Sequence, residues 1–301
     1  MARKDSMPQA RVDKPNARLE WDVSPQALER WSPGIMAAAD PDNTTISIFD
    51  VIGQDPWTGE GVTAKRISAA LRTVGPKTDV TVNVNSPGGD MFEGLAIYNL
   101  LREHKGKVTI KVLGMAVSAA SVISMAGDEV QIARAGFLMI HDCWVLAIGN
   151  RNDLRETADY LEPFDRAMAS VYAARTGASE NAMLKLMDAE TWINGSAAID
   201  QGFADKLLAA DEVKTDTKAR GDTVAAHLLD MALAKAGIPR SGRRSMLNEF
   251  KAGTRDAAGD DGTQNAADGD TQNAAAAMAA LQGFGLRNAI DDLSRSLQAF
   301  K

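Results

Sequence analysis

The chain has 301 residues, is 45% hydrophobic and 24% charged, and carries a formal net charge of −7, a profile of soluble globular proteins with room for one sizeable core plus appendages. An acidic balance argues against a general nucleic-acid binder, whose phosphate-neutralising surface is normally basic. The single cysteine, Cys143, excludes an internal disulfide and a cysteine-built metal site, and His104, His141 and His227 are too scattered for metal-ligand spacing, so neither metal nor cofactor is expected. No run of 18 apolar residues occurs and the charged start, MARKDSMPQARVDKPNARLEW, has no apolar segment behind it. A membrane or secreted protein is therefore not expected, and the cytoplasm is the expected compartment.

In chain order, residues 1–42 are polar and punctuated by Pro8, Pro15, Pro25, Pro33 and Pro41, which predicts a loose arm with one short helix near Pro25–Trp31. From Thr44 the pattern becomes strand and helix in alternation. ISIFDVIG reads as a strand, Gly61–Leu71 as a helix, VTVNVN as an alternating strand, and Met91 to Glu103 as a helix after the turn Ser86-Pro87-Gly88-Gly89. Val108–Leu113 reads as a strand broken by Gly114, followed by a helix from Ser118; EVQIA and GFLMIHDCWV read as two more strands. Asp153–Arg175 has helical periodicity with Pro163 inside it, where a kink or restart is expected. Asn181–Met187 and Ser196–Gln201 read as short helices around an extended piece, Glu190–Ile193. The alternation predicts an α/β unit with a largely parallel sheet over residues 43–210. Beyond it come a short helical extension (211–252), a low-complexity linker (253–285) in which TQNAA occurs twice, and an amphipathic stripe at 286–301 (Leu286, Ile290, Leu293, Leu297, Phe300).

Three stretches carry chemistry-bearing residues. Ser118 stands at a strand–helix junction in GMAVSAA, where unpaired backbone N–H groups favour an anion; the serine is either a nucleophile whose attack creates an oxyanion or a helix cap. NSPGGD (85–90) sets paired glycines between a strand and a helix, able to aim an N–H at a bound carbonyl or simply to make a turn. MIHDC (139–143) puts His141 on an apolar strand, as a base or as a satisfied core residue.

Taken in order and spacing, NSPGG, AIY (96–98), GMAVSAA, AG (126–127), MIH and GFAD (202–205) resemble the proteolytic subunit of Clp protease (the ClpP family) and its phage relatives, the head maturation proteases, over about Thr44 to Leu208. The resemblance implies the ClpP/crotonase-type spiral of ββα units, usually assembled in rings, and a serine endopeptidase. It also implies Ser118 as nucleophile, His141 as general base, and the backbone N–H groups of Gly88 and Ala119 as the oxyanion hole, with Gly89 the alternative in the first pair. The family usually has Asp in the slot that here holds Glu190; Glu190 is the implied orienting acid, with Asp188 the alternative. Asp142 is disfavoured because strand neighbours point to opposite faces. The phage-type resemblance implies capsid or scaffold proteins as substrates and a homo-oligomer, with no nucleic-acid partner. The rival readings are a crotonase-type acyl-CoA enzyme on the same fold and a catalytically silent assembly or scaffolding protein. The C-terminal stripe is expected to fold against a partner groove and to leave catalysis to the central unit.

Overall fold

The computed structural model describes residues 18–21, 23–31, 35–37, 44–54, 61–209 and 213–215, with isolated positions between 230 and 246. The elements run β1 (Arg18–Trp21), α1 (Pro25–Arg30), β2 (Ile35–Ala37), β3 (Thr45–Ile48), α2 (Ala64–Val74), β4 (Val80–Ser86), α3 (Met91–Glu103), β5 (Val108–Val117), α4 (Ala119–Ser124) and β6 (Glu129–Ile132). They continue with β7 (Phe137–Ile140), β8 (Val145–Ile148), α5 (Arg151–Thr176), α6 (Glu180–Asp188), β9 (Thr191–Asn194), α7 (Gly195–Asp200), β10 (Lys206–Leu207) and β11 (Val213–Thr215).

A seven-stranded sheet is ordered β10-β6-β5-β4-β3, with β7 also on β5 and β9 on β7. All its pairings are parallel except β7–β9. Parallel strands are covered on both faces, and β4 is buried from Val82 to Ser86 although its alternation, VTVNVNS, reads as half-buried; Asn85 Oδ1 accepts the Met115 N–H and Ser86 donates to the Asp50 carbonyl. The helices that cross back are started by side chains. Thr63 accepts the Arg66 N–H, Asp90 accepts the Glu93 N–H, and Asn150 and Asp153 form a capping box at the head of α5. Alternation along β5 and β7 sorts the core. Ala116, Leu138 and Ile140 join the main cluster with Ile97, Ile123 and Tyr172, while Met115, Val117 and Met139 join a second one with Val51.

That second cluster is completed by the N-terminal arm. Val23, Ala27 and Trp31 are buried in it, the Trp31 indole N–H donates to the Asn85 carbonyl at 3.1 Å, and the Arg30 guanidinium lies 4.5 Å from the Trp192 ring centre. The short helix read near Pro25–Trp31 corresponds to α1, and two strands flank it: β1 pairs antiparallel with β8, and β2 with β11.

Four local readings change. The strand read over ISIFDVIG ends at Ile48 as β3, and Ile52 returns only as an isolated bridge to Val62 and Gly89. β5 does not stop at Gly114 but runs to Val117, its neighbour switching from β6 (Val112 opposite Ile132) to β7 (Met115 opposite Phe137) across the glycine. The stretch read as one strand, 136–145, is interrupted after Ile140, where the Cys143 N–H leaves the ladder for the Asp165 carboxylate at 2.6 Å. α5 continues as one helix through Pro163, which lies on its exposed face. The proposed low-complexity linker and C-terminal stripe lie outside the described residues, as do most of the two helices read between 223 and 252; within that stretch Arg243 and Asp230 form a buried ion pair at 2.7 Å. No helix among the described residues is long and apolar enough to cross a membrane.

Candidate active site

Ser118 sits between the last residue of β5 and the first of α4. Its own N–H donates to the Met139 carbonyl at 2.9 Å, which fixes it beside the strand that leads to His141. The backbone there is strained, with φ 54° and ψ −122°, and the hydroxyl makes no cap hydrogen bond to the helix it precedes. Among the described residues only Ser118 and Glu190 combine a side chain with positive φ. A β-carbon in that region costs on the order of 1–3 kcal/mol and persists where the surroundings enforce it, commonly at functional sites. The carbonyl of Ser118 accepts three hydrogen bonds, from the N–H of Ser121 (2.9 Å), the N–H of Val122 (3.1 Å) and the Ser121 hydroxyl (2.6 Å).

Gly88 is packed against the nucleophile candidate: a β-carbon there would lie 2.5 Å from the Val117 carbonyl oxygen and 2.9 Å from Ser118 Cβ. Its φ of 88° is in the region that glycine alone adopts without cost. Ile52 holds the turn as a strand would, its N–H donating to the Gly88 carbonyl at 2.8 Å and its carbonyl accepting the Asp90 N–H at 3.0 Å. The Gly88 N–H donates to Ser86 Oγ at 3.2 Å, and Ser86 in turn donates to the Asp50 carbonyl at 2.6 Å. The Gly89 and Ala119 N–H groups have no such acceptor among the described residues.

His141 follows β7 directly and is 3% exposed. Its Nε2 has no hydrogen-bond partner, and burial holds its pKa at about 4, well below the ordinary imidazole range. The structure thus sets Ser118 and His141 on neighbouring strands without a hydrogen bond between the two side chains. The β7–β9 ladder ends with Ile140 opposite Thr191, so His141 and Glu190 each stand one residue beyond it, Glu190 in an exposed turn at φ 47°.

The acids form a group of their own. Asp142 is raised to about 7, first by burial and then by the charges of Asp165, Asp188 and Glu190. Asp165 is itself raised by burial, although the Cys143 N–H it accepts pulls the other way. The charge of Asp188, at the end of α6, therefore bears on Asp142. Asp165, Ser86 and Ser121 were not singled out from sequence. The pointer to Ser121 is a hydroxyl three residues after Ser118 in an otherwise apolar run; nothing local marks Asp165. No group of three or more His, Cys, Asp or Glu among the described residues could hold a metal ion.

A family model described as Clp protease matches residues 60–211. The ATP-dependent Clp protease proteolytic subunit of Bacteroides fragilis is 29% identical over 140 residues, covering 46% of this chain and 68% of that protein. Subunit 2 from Bifidobacterium longum is 28% identical over 185 residues, 58% of this chain and 89% of its own length. Subunit 1 from Streptomyces avermitilis is 26% identical over 210 residues, 63% of this chain and 95% of its own.

Proposed function

Since the chain belongs to the Clp protease family, we propose that it is a serine endopeptidase in which Ser118 attacks the peptide carbonyl. The observation that carries the proposal is the Ser118 backbone: a strained serine whose hydroxyl is withheld from the helix it precedes has no structural use for its oxygen. In the proposed cycle Ser118 Oγ bonds to the carbonyl carbon as its proton passes to His141. The C–N bond then breaks with that proton delivered to the leaving amine, and water repeats the sequence to release the acyl group. Neutral imidazole is the form needed, and burial of His141 favours it.

The developing oxyanion is received by the Ala119 N–H and one glycine N–H, each worth on the order of 3 kcal/mol. Gly89 is preferred to Gly88, the donor the motif resemblance implies, because the Gly88 N–H already serves Ser86. Glu190, the residue next to the β9 end that pairs with β7, is proposed to orient His141, ahead of Asp188, which bears more strongly on Asp142. His141 must turn to make both of its bonds, and ring assembly with further copies of the chain is the proposed means.

The motif resemblance to head maturation proteases supports a finer reading: a phage enzyme of the host cytoplasm and prohead that cleaves capsid or scaffold proteins and acts as a homo-oligomer without cofactor. Comparing peptide hydrolysis by the wild type and Ser118→Ala tests the reaction. Loss of turnover in a variant with unchanged circular dichroism supports it, and turnover near wild type rejects it. A crotonase-type acyl-CoA enzyme would keep its activity in Ser118→Ala, and a silent scaffold would have none in either form.

A further inference from the structure

We infer that Ser121 and Tyr172 are positioning residues for the oxyanion hole, an inference that rests on the reading of Ser118 as the nucleophile. Ser121 Oγ lies 2.6 Å from the Ser118 carbonyl oxygen and 2.7 Å from the Tyr172 hydroxyl. Ser121 has one hydroxyl proton, and a carbonyl oxygen can only accept, so that proton goes to Ser118. Tyr172 must then donate to Ser121. The direction of the chain is settled: Tyr172 to Ser121 to the Ser118 carbonyl.

The target of this chain is the point. The Ser118 carbonyl and the Ala119 N–H are the two ends of one planar trans peptide, so gripping the oxygen aims the N–H in the opposite direction. The Ala119 N–H is the donor proposed to receive the oxyanion. Donors crowded on the carbonyl also polarise the peptide and make its N–H a stronger donor.

The hydroxyl adds a third donor to a carbonyl that the Ser121 and Val122 N–H groups already hold, at a serine whose φ is 54° and whose helix α4 is only six residues long. Its far end is secured in α5, where Tyr172 is fully buried with its ring edge-on to Phe203 at 6.1 Å. Ser121 is also fully buried, so water cannot replace either hydroxyl.

The test is the rate at which a fluorophosphonate labels Ser118 in the full-length chain, measured against probe concentration to separate the limiting rate from half-saturation. Ser121→Ala should lower the limiting rate about tenfold with half-saturation unchanged, the effect of losing one buried hydrogen bond in the transition state. Tyr172→Phe should lower it several-fold, and the double variant should be no slower than Ser121→Ala, because Tyr172 acts only through Ser121. Variants that melt earlier but label at the wild-type rate would overturn the positioning role. Tyr172→Phe removes one oxygen and leaves the ring in place, so it decides the matter even if Ser121→Ala fails to fold. A wild type that is not labelled at Ser118 overturns instead the reading of the site on which the inference stands.

Discussion

Replacing Gly88 by alanine is a graded test of the close approach between the glycine turn and Ser118. The added β-carbon would meet the Val117 carbonyl oxygen at 2.5 Å and Ser118 Cβ at 2.9 Å. Backbone cannot yield as a flexible side chain does, so the strand end and the turn must separate by about 1 Å, a misplacement that costs roughly 100-fold at a nucleophile. A left-handed backbone adds about 1–2 kcal/mol for any residue with a β-carbon. Gly177 supplies the control: its φ is 75°, yet a β-carbon there meets nothing within 4 Å. Gly177→Ala should lose about 1 kcal/mol of stability and keep its activity. Gly88→Ala should lose somewhat more stability and about 100-fold in rate. Fluorogenic peptide hydrolysis and thermal melts, run side by side, separate the two effects. Gly88→Ala within about threefold of wild type would refute the contact as a feature of the catalytic site.

Glu190→Gln should cut hydrolysis by orders of magnitude while Asp188→Asn changes it far less; the reverse order would move the orienting role to Asp188. Burial alone holds His141 at about 4, and the Glu190 carboxylate proposed to face it in the working enzyme raises it, so the acid limb of kcat/KM should lie well above pH 4, toward the ordinary imidazole range. Where burial alone acts, the depressed value makes stability full above about pH 6.5 and declining as pH drops toward 4, since the unfolded chain takes up the proton first. A plateau that persists through pH 5 would mean that no carboxylate faces the ring, and would remove the orienting role from Glu190. Trp31 is 7% exposed and bonded to the Asn85 carbonyl; Trp31→Ala should cost on the order of 3 kcal/mol in a denaturant titration, and a cost near zero would detach α1 from the core.

The alternation of strands and helices from Thr44 to Leu208 could be read locally, because buried parallel strands and amphipathic helices have different periods. Where tertiary partners decide, the reading fails. Gly114 looked like a stop and is instead the point where β5 changes neighbours. The end of β7 is set by Asp165, 22 residues beyond the Cys143 N–H it captures, a capture that no window around Cys143 can anticipate. β1 meets β8 across more than 120 residues, and such pairings leave only a faint local trace. At the site, Ser118 and the glycine turn stood out by type and spacing. Which glycine keeps a free N–H depended on the Ser86 rotamer, and the hold of Tyr172 on Ser121 on a helix far along the chain.

The central claim, that Ser118 is a nucleophile activated by His141, is tested most directly by fluorophosphonate labelling followed by peptide mapping of wild type, Ser118→Ala and His141→Ala. The expected result is an adduct on the peptide holding Ser118 in the wild type, none in Ser118→Ala, and a strongly slowed reaction in His141→Ala. A folded wild type without an adduct, or an adduct that persists in Ser118→Ala, would contradict it.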